Sequence, residues 1–367
     1  MTSITAALTR HNGADWELTP ADIDDPRAEE VLVRIVATGV CHTDVGVRDG
    51  HLPMELPGVL GHEGAGIVER VGSAVSDISV GDHVVLSVGL CGECDHCLRG
   101  LPTYCEQGYV RNFSGRRPDG SATLRVDGAE VGGNFFGQSS FATYALADRR
   151  SVVPIPADVP LELMGPLGCG LQTGAGTVIN ALRPEAGSTL VVFGAGAVGM
   201  AALMAARIVG CATIVAVDLH RSRLDLALEL GATHVVDAHD ADVVGAVRAA
   251  CGGAGADYVV DATGVAPVAA QAVGSLALRG RCALVGVYPP DAELRIPAGA
   301  LFFGQSVGGV VEGDSVPKVF VRRLVELWRQ GRFPFDRLVE YYDFDDINTA
   351  VADALSGRVL KPILRIG

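Results

Sequence analysis

Two rhythms of apolar residues divide the chain. In the first third, short apolar runs are cut by Gly and Pro: Val31-Leu-Val-Arg-Ile-Val36, Gly66-Ile-Val-Glu-Arg-Val71 and His83-Val-Val-Leu86. Short β-branched runs bounded by turn residues predict strands. Near residue 170 the rhythm changes. Apolar runs over 189–193, 212–217, 258–261 and 282–286 now alternate with helical stretches, the clearest over 198–209 and 221–230. Unbroken apolar strands separated by helices predict a doubly wound parallel sheet covered on both faces. A helix over roughly 318–330 and a last strand over 363–366 remain. The pattern predicts an α/β protein. A mostly β domain spans 1–170, a dinucleotide-type domain spans 171–310, and 311–367 returns to the first.

Length agrees, since 367 residues exceed one comfortable core. The 47 glycines follow no collagen-like period and fit tight strand–helix turns. A net charge of −14 argues against nucleic acid, whose phosphates need a basic face, and against an anionic membrane surface. No apolar run is long enough to span a bilayer. The N-terminus lacks a basic start followed by an unbroken apolar stretch, so a cytoplasmic protein is expected. Nine cysteines, an odd number, then require an explanation other than disulfides. Cys211, Cys251 and Cys282 lie in apolar or small-residue surroundings and read as core.

The string Gly194-Ala-Gly196-Ala-Val198-Gly199 follows the apolar run ending at Phe193 and opens a helix. Glycine at the first position permits the turn, and at the second lets backbone approach a pyrophosphate. The third packs helix on strand, and the helix N-terminus favours the anion. Asp218 ends the next strand, where a carboxylate holds ribose hydroxyls and repels a 2′-phosphate. NAD is therefore expected over NADP.

Cys91, Cys94, Cys97 and Cys105 crowd one short stretch. Four thiolates at this spacing wrap one tetrahedral ion and leave no open position, as structural zinc requires. An iron–sulfur cluster is the competing reading, and Tyr104 before Cys105 fits its patterns poorly. His96 reads as a polar loop residue. A second set is dispersed: Cys41, His62 and Cys169. Two Cys and one His leave a fourth position for water or substrate, which a catalytic zinc needs.

Gly61-His62-Glu63-Gly-Ala-Gly66, with Gly72 and Val75 beyond it, resembles the zinc signature of the medium-chain alcohol dehydrogenases. Gly39-Val-Cys41-His-Thr43-Asp44 and Gly168-Cys169-Gly170 stand where that family's other two ligands do, and the resemblance runs through Asp314-Ser-Val-Pro-Lys318 to Lys361-Pro-Ile-Leu364. It implies a GroES-like catalytic domain, a Rossmann coenzyme domain, NAD, and two zinc ions per subunit, one catalytic and one structural. The catalytic ion, on Cys41, His62 and Cys169, would act as a Lewis acid on the alcohol, with Thr43 accepting the hydroxyl's hydrogen bond. Asp44 would fix the tautomer of His62, and Glu63 would stand behind the metal. Asp218 and Arg223 would hold the adenosine ribose, and His42 and Lys361 would face the pyrophosphate. Thr173, Val198 and Val287 would complete the cofactor site. The chain departs at Gly46, where many members carry a His that ends a proton relay.

The segments around Asn112-Phe113 and Phe135-Phe136 are similar to aryl-alcohol (benzyl alcohol) and terpene-alcohol dehydrogenases. By that likeness Ser87, Phe135, Phe136 and Val287 would line a pocket for a bulky aryl or allylic primary alcohol, with ordinary core as the alternative for the two phenylalanines. A thiol-adduct (formaldehyde-type) dehydrogenase and a non-catalytic zinc protein of the same fold are the competing functions. Family members dimerise or tetramerise through an edge strand of the coenzyme domain, and the apolar stretch 301–311 suits that role. A homodimer or homotetramer is expected.

Overall fold

The computed structural model describes residues 1–289 and 291–366. Chain contacts divide it into Met1–Cys169, Val316–Glu326 and Asp336–Gly367 on one side, and Gly170–Ser315 with Leu327–Phe335 on the other. The expected return to the first unit is therefore interrupted at 327–335. Arg332 donates to the Ile208 carbonyl at 3.4 Å, and Phe333 and Phe335 are buried, which ties this turn to the second unit.

The first unit is built on two sheets. Five strands run in the order Gly58–Val59, Thr2–Thr9, Glu17–Ile23, Leu124–Val126, Ala129–Val131. The larger sheet centres on Glu30–Gly39, which pairs antiparallel with Glu63–Val71, Tyr144–Asp148 and Lys361–Arg365. Burial of both faces of Glu30–Gly39 explains why its apolar pattern alternates weakly. Its end positions the site, since the register pairs Gly39 with Glu63 and Thr38 with Gly64. A Cβ on Gly39 would lie 2.0 Å from a Glu63 carboxylate oxygen, so only glycine leaves that carboxylate its place.

The second unit carries six strands, all parallel, in the order His234–Asp237, Thr213–Asp218, Thr189–Phe193, Ala256–Asp261, Leu276–Leu284, Ser306–Gly309. Ala197–Val209 follows the first of these in sequence and buries every residue from Gly199 to Ala206. Gly210 ends it in the left-handed conformation at φ 88°, donating to Ala206 and Arg207 carbonyls. The stretch 301–311 is not one strand. Ala298–Phe302 is helical, and the strand is confined to Ser306–Gly309 at the sheet edge. No helix among the described residues is long and apolar enough to cross a membrane.

Candidate active site

Cys41, Thr43 and Asp44 lie at the start of the helix His42–Arg48, whose first turn is closed by the Cys41 amide donating to the Asp44 carboxylate at 3.0 Å. The same carboxylate accepts from the Gly61 amide at 3.0 Å and from Nδ1 of His62 at 2.8 Å. Nδ1 carries the proton in this arrangement, and Nε2 is left with its lone pair. Nε2 of His62 is fully buried with no hydrogen-bond partner among the described residues. Such an orphan is costly unless something binds there.

The ligand atoms of Cys41, His62, Glu63 and Cys169 all lie within 4.8 Å of one another. Two sulfurs gathered at the buried orphan nitrogen of His62 fit a zinc ion with a fourth position open, and the Glu63 carboxylate stands beside them. The Cys41 thiol is held well below its ordinary range, first by the neighbouring Cys169 sulfur, against burial, and then by His62 and Lys361. A sulfur that favours the thiolate is a ready metal ligand. Ser87 is fully buried and its hydroxyl donates to the Gly168 carbonyl at 2.7 Å, so it anchors the residue before Cys169. Thr43 Oγ1 stands 3.7 Å from the Cys41 sulfur.

Lys361 does not stand free to meet a pyrophosphate. Its buried ammonium donates to both Glu63 carboxylate oxygens, each at 2.9 Å, and to the Val40 carbonyl at 3.1 Å, which occupies all three protons. Burial, working against the Lys361 ammonium, leaves the Glu63 carboxyl raised to about 7.

Phe135 and Phe136 are buried against the metal-ligand candidate His62. Their ring centroids lie 5.4 and 4.5 Å from the imidazole, and Phe113 packs edge-on against both. Phe113 escaped the sequence reading as a site residue, as did Gln138, whose side-chain amide bonds the backbone on either side of Glu63.

The four lobe cysteines also converge. Sγ of Cys91 lies 3.9 Å from Cys97, and Sγ of Cys94 lies 4.0 Å from Cys105. A tetrahedral zinc with sulfur at about 2.3 Å sets sulfur separations near ~3.8 Å, so this set fits zinc closely. Backbone amides of Glu93 and Cys94 point at Cys91 Sγ, and the amide of Cys91 points at Cys105 Sγ, as thiolates require. His96 stays exposed, 3.8 Å from Glu106.

In the second unit, Gly194 adopts φ +88°, and a Cβ on Gly199 would lie 1.9 Å from the Gly194 carbonyl oxygen. Around Gly196 a Cβ would meet nothing within 4 Å, which leaves the backbone open to a phosphate. Asp218 accepts from the Ala195 amide at 2.7 Å and the His220 amide at 2.8 Å. Arg223 lies 3.8 Å from the same carboxylate, and its buried Nε has no hydrogen-bond partner among the described residues. Thr173 donates to Glu312 at 3.3 Å, whereas Val287 and His42 are exposed.

Residues 27–157 match the alcohol dehydrogenase GroES-like domain, and 197–327 match the zinc-binding dehydrogenase domain. The chain belongs to the zinc-dependent medium-chain alcohol dehydrogenases. It is 45% identical over 99% of its length to a geraniol dehydrogenase of Castellaniella defragrans, covering 97% of that protein. The crystal structure of benzyl alcohol dehydrogenase from Acinetobacter calcoaceticus superposes with a TM-score of 0.97 at 46% identity, with both chains covered fully. An alcohol dehydrogenase zinc-binding domain protein from Burkholderia ambifaria gives a TM-score of 0.98 at 51% identity, over 100% of this chain and 99% of that one. The enzyme is thus an alcohol dehydrogenase with the two-domain fold of its family.

Proposed function

We propose that this enzyme interconverts a bulky primary alcohol, aryl or allylic, and its aldehyde with NAD as hydride carrier, using two zinc ions per subunit. The observation that carries the substrate reading is Phe136, its ring 4.5 Å from the His62 imidazole, with Phe135 and Phe113 packed against it. Phe135 is fully buried in the core, the alternative expected for it, so Phe136, 8% exposed, is the ring that would meet a substrate, where an aromatic or allylic partner gains about 1 kcal/mol over ethanol. The printed names of the two named relatives, geraniol and benzyl alcohol dehydrogenase, support the same class.

When bound, zinc supplies the Lewis acidity that brings an alcohol toward ionisation, and the nicotinamide supplies the hydride acceptor. The chain's own groups do the rest. Asp44 fixes the His62 tautomer, Ser87 fixes the Cys169 loop, and Thr43, beside Cys41, accepts the hydroxyl proton's hydrogen bond. Asp218 supports NAD over NADP because a second anion beside its carboxylate is repelled. The test is NADH formation from benzyl alcohol, geraniol and ethanol, with NADP in parallel. Turnover of the first two with NAD well above that of ethanol is expected. Preference for ethanol removes the substrate class, and equal rates with NADP remove the cofactor reading.

None of the nine cysteines is paired in a disulfide, which supports a reducing, cytoplasmic compartment. We further infer a homo-oligomer, dimer or tetramer, through the edge strand Ser306–Gly309. Leu301, Phe302 and Phe303 beside it are 44%, 83% and 58% exposed, a patch that favours burial against a partner copy. Light scattering should give a multiple of the 38.0 kDa chain mass, and Phe302→Glu should shift it toward the monomer. A monomeric parent protein contradicts this assembly.

A further inference from the structure

The turn over 135–141 is bonded to the strand entry over 59–64 residue by residue. Ser139 Oγ donates to Val59 O at 2.6 Å, Phe141 N to Leu60 O at 3.0 Å, and Ser140 N to Gly61 O at 2.9 Å. The series then passes to a side chain. Gln138 Nε2 donates to His62 O at 3.0 Å, and Gln138 Oε1 accepts from Gly64 N at 3.1 Å. The ladder from Glu63–Val71 to His83–Leu86 runs from Ile67↔His83 to Ala65↔Val85. Just beyond it, the Gln138 amide takes the next backbone groups as a strand would. Its residue is 1% exposed, so neither bond is exchanged with bulk water.

Bringing Gln138 to this place requires an uncommon backbone. Phe136, Gly137 and Ser139 have φ of 49°, 63° and 52°, and two of these are not glycine. Left-handed backbone at residues with a Cβ is sparsely populated and persists where surrounding contacts over-determine it. The same conformation lays the Phe136 ring on the His62 imidazole at 4.5 Å. Ser139 Oγ, accepting from the Phe135 amide at 2.9 Å, closes the turn.

We propose that Gln138 is a positioning residue that fixes the directions of His62 and Glu63 toward the metal. Its amide holds the two peptide groups flanking Glu63, and therefore the Cα–Cβ directions of a metal ligand and of the carboxylate behind it. Asp44 fixes the rotation of the imidazole ring from one side, while Gln138 fixes the backbone from which the ring projects. This inference rests on the reading that Cys41, His62 and Cys169 hold zinc.

The experiment follows zinc release from purified holoenzyme by dipicolinate, with the zinc remaining on the protein counted by elemental analysis. It compares the parent enzyme with Gln138→Met, which keeps the side-chain length and removes both bonds. Gln138→Glu, which keeps the acceptor and sets a carboxylate against the His62 carbonyl, serves if the first variant does not fold. One zinc should leave about tenfold faster in either variant while the four-cysteine zinc stays bound. The cobalt-substituted variant should show shifted visible bands, and kcat should fall with KM for NAD unchanged. Release within about twofold of the parent, or loss of both ions together as a general loosening would cause, overturns the proposal. A parent enzyme holding no zinc releasable ahead of the lobe zinc overturns the metal reading itself, and this inference with it.

Discussion

Cys41→Ala is expected to lower kcat for alcohol oxidation by about 1000-fold while leaving the protein folded. Lewis-acid stabilisation is worth several kcal/mol, and each ~1.4 kcal/mol is tenfold in rate. Cys41 is one of two sulfurs in a set of four ligand atoms within 4.8 Å, and its neighbours favour its thiolate. Its removal leaves His62, Cys169 and a carboxylate already engaged by Lys361. The fold tolerates the change because the helix His42–Arg48 is closed by the backbone amide of residue 41, which alanine retains. Stopped assays with benzyl alcohol, melting temperature and zinc content check this together. A variant that keeps a tenth or more of the parent turnover would show that Cys41 is not required for the chemistry.

Lys361→Met should be the most destabilising single change near the site. Lys361 is 3% exposed, its partner Glu63 is fully buried, and removal of the ammonium leaves a carboxylate without a counter-charge. Breaking a buried pair on one side costs about 3–5 kcal/mol, whereas replacing both partners with neutral groups is often close to neutral. A fall in Tm of roughly 10 °C is therefore expected for Lys361→Met. The double variant Lys361→Met with Glu63→Gln should recover most of it. Thermal melts of the four proteins of this cycle measure the coupling directly. Equal melting of the single and double variants would mean that the charge pair is not what Lys361 contributes.

Much of this site was legible in the sequence. The parallel sheet announced itself because strands buried on both faces need continuous apolar runs, and Thr189–Phe193 is such a run. The bond between Asp44 and His62 was implied by the family resemblance, and it agrees with the rule that a ligating imidazole is fixed through its other nitrogen. Other parts were hidden by the kind of information they need. Leu276–Leu284 begins well before the apolar run at Cys282, because Arg279 and Arg281 lie exposed on it and break the pattern. The apolar stretch at 301–303 looked like a strand but closes a helix, where two phenylalanines face solvent. Lys361 and Glu63 are far apart in sequence, so their pairing left no local signal. Gln138 left none either, since its partners are backbone groups that carry no residue identity.

The most direct measurement is a zinc titration of turnover. Protein stripped of metal at Cys41, His62 and Cys169 by a chelator is given zinc in steps, and NADH formation from benzyl alcohol is followed at each step. Turnover should be absent at the start, rise in proportion to occupancy of that one site, and stop rising when it is full. Undiminished turnover by the stripped protein would contradict the assignment of these three residues as the enzyme's catalytic metal site.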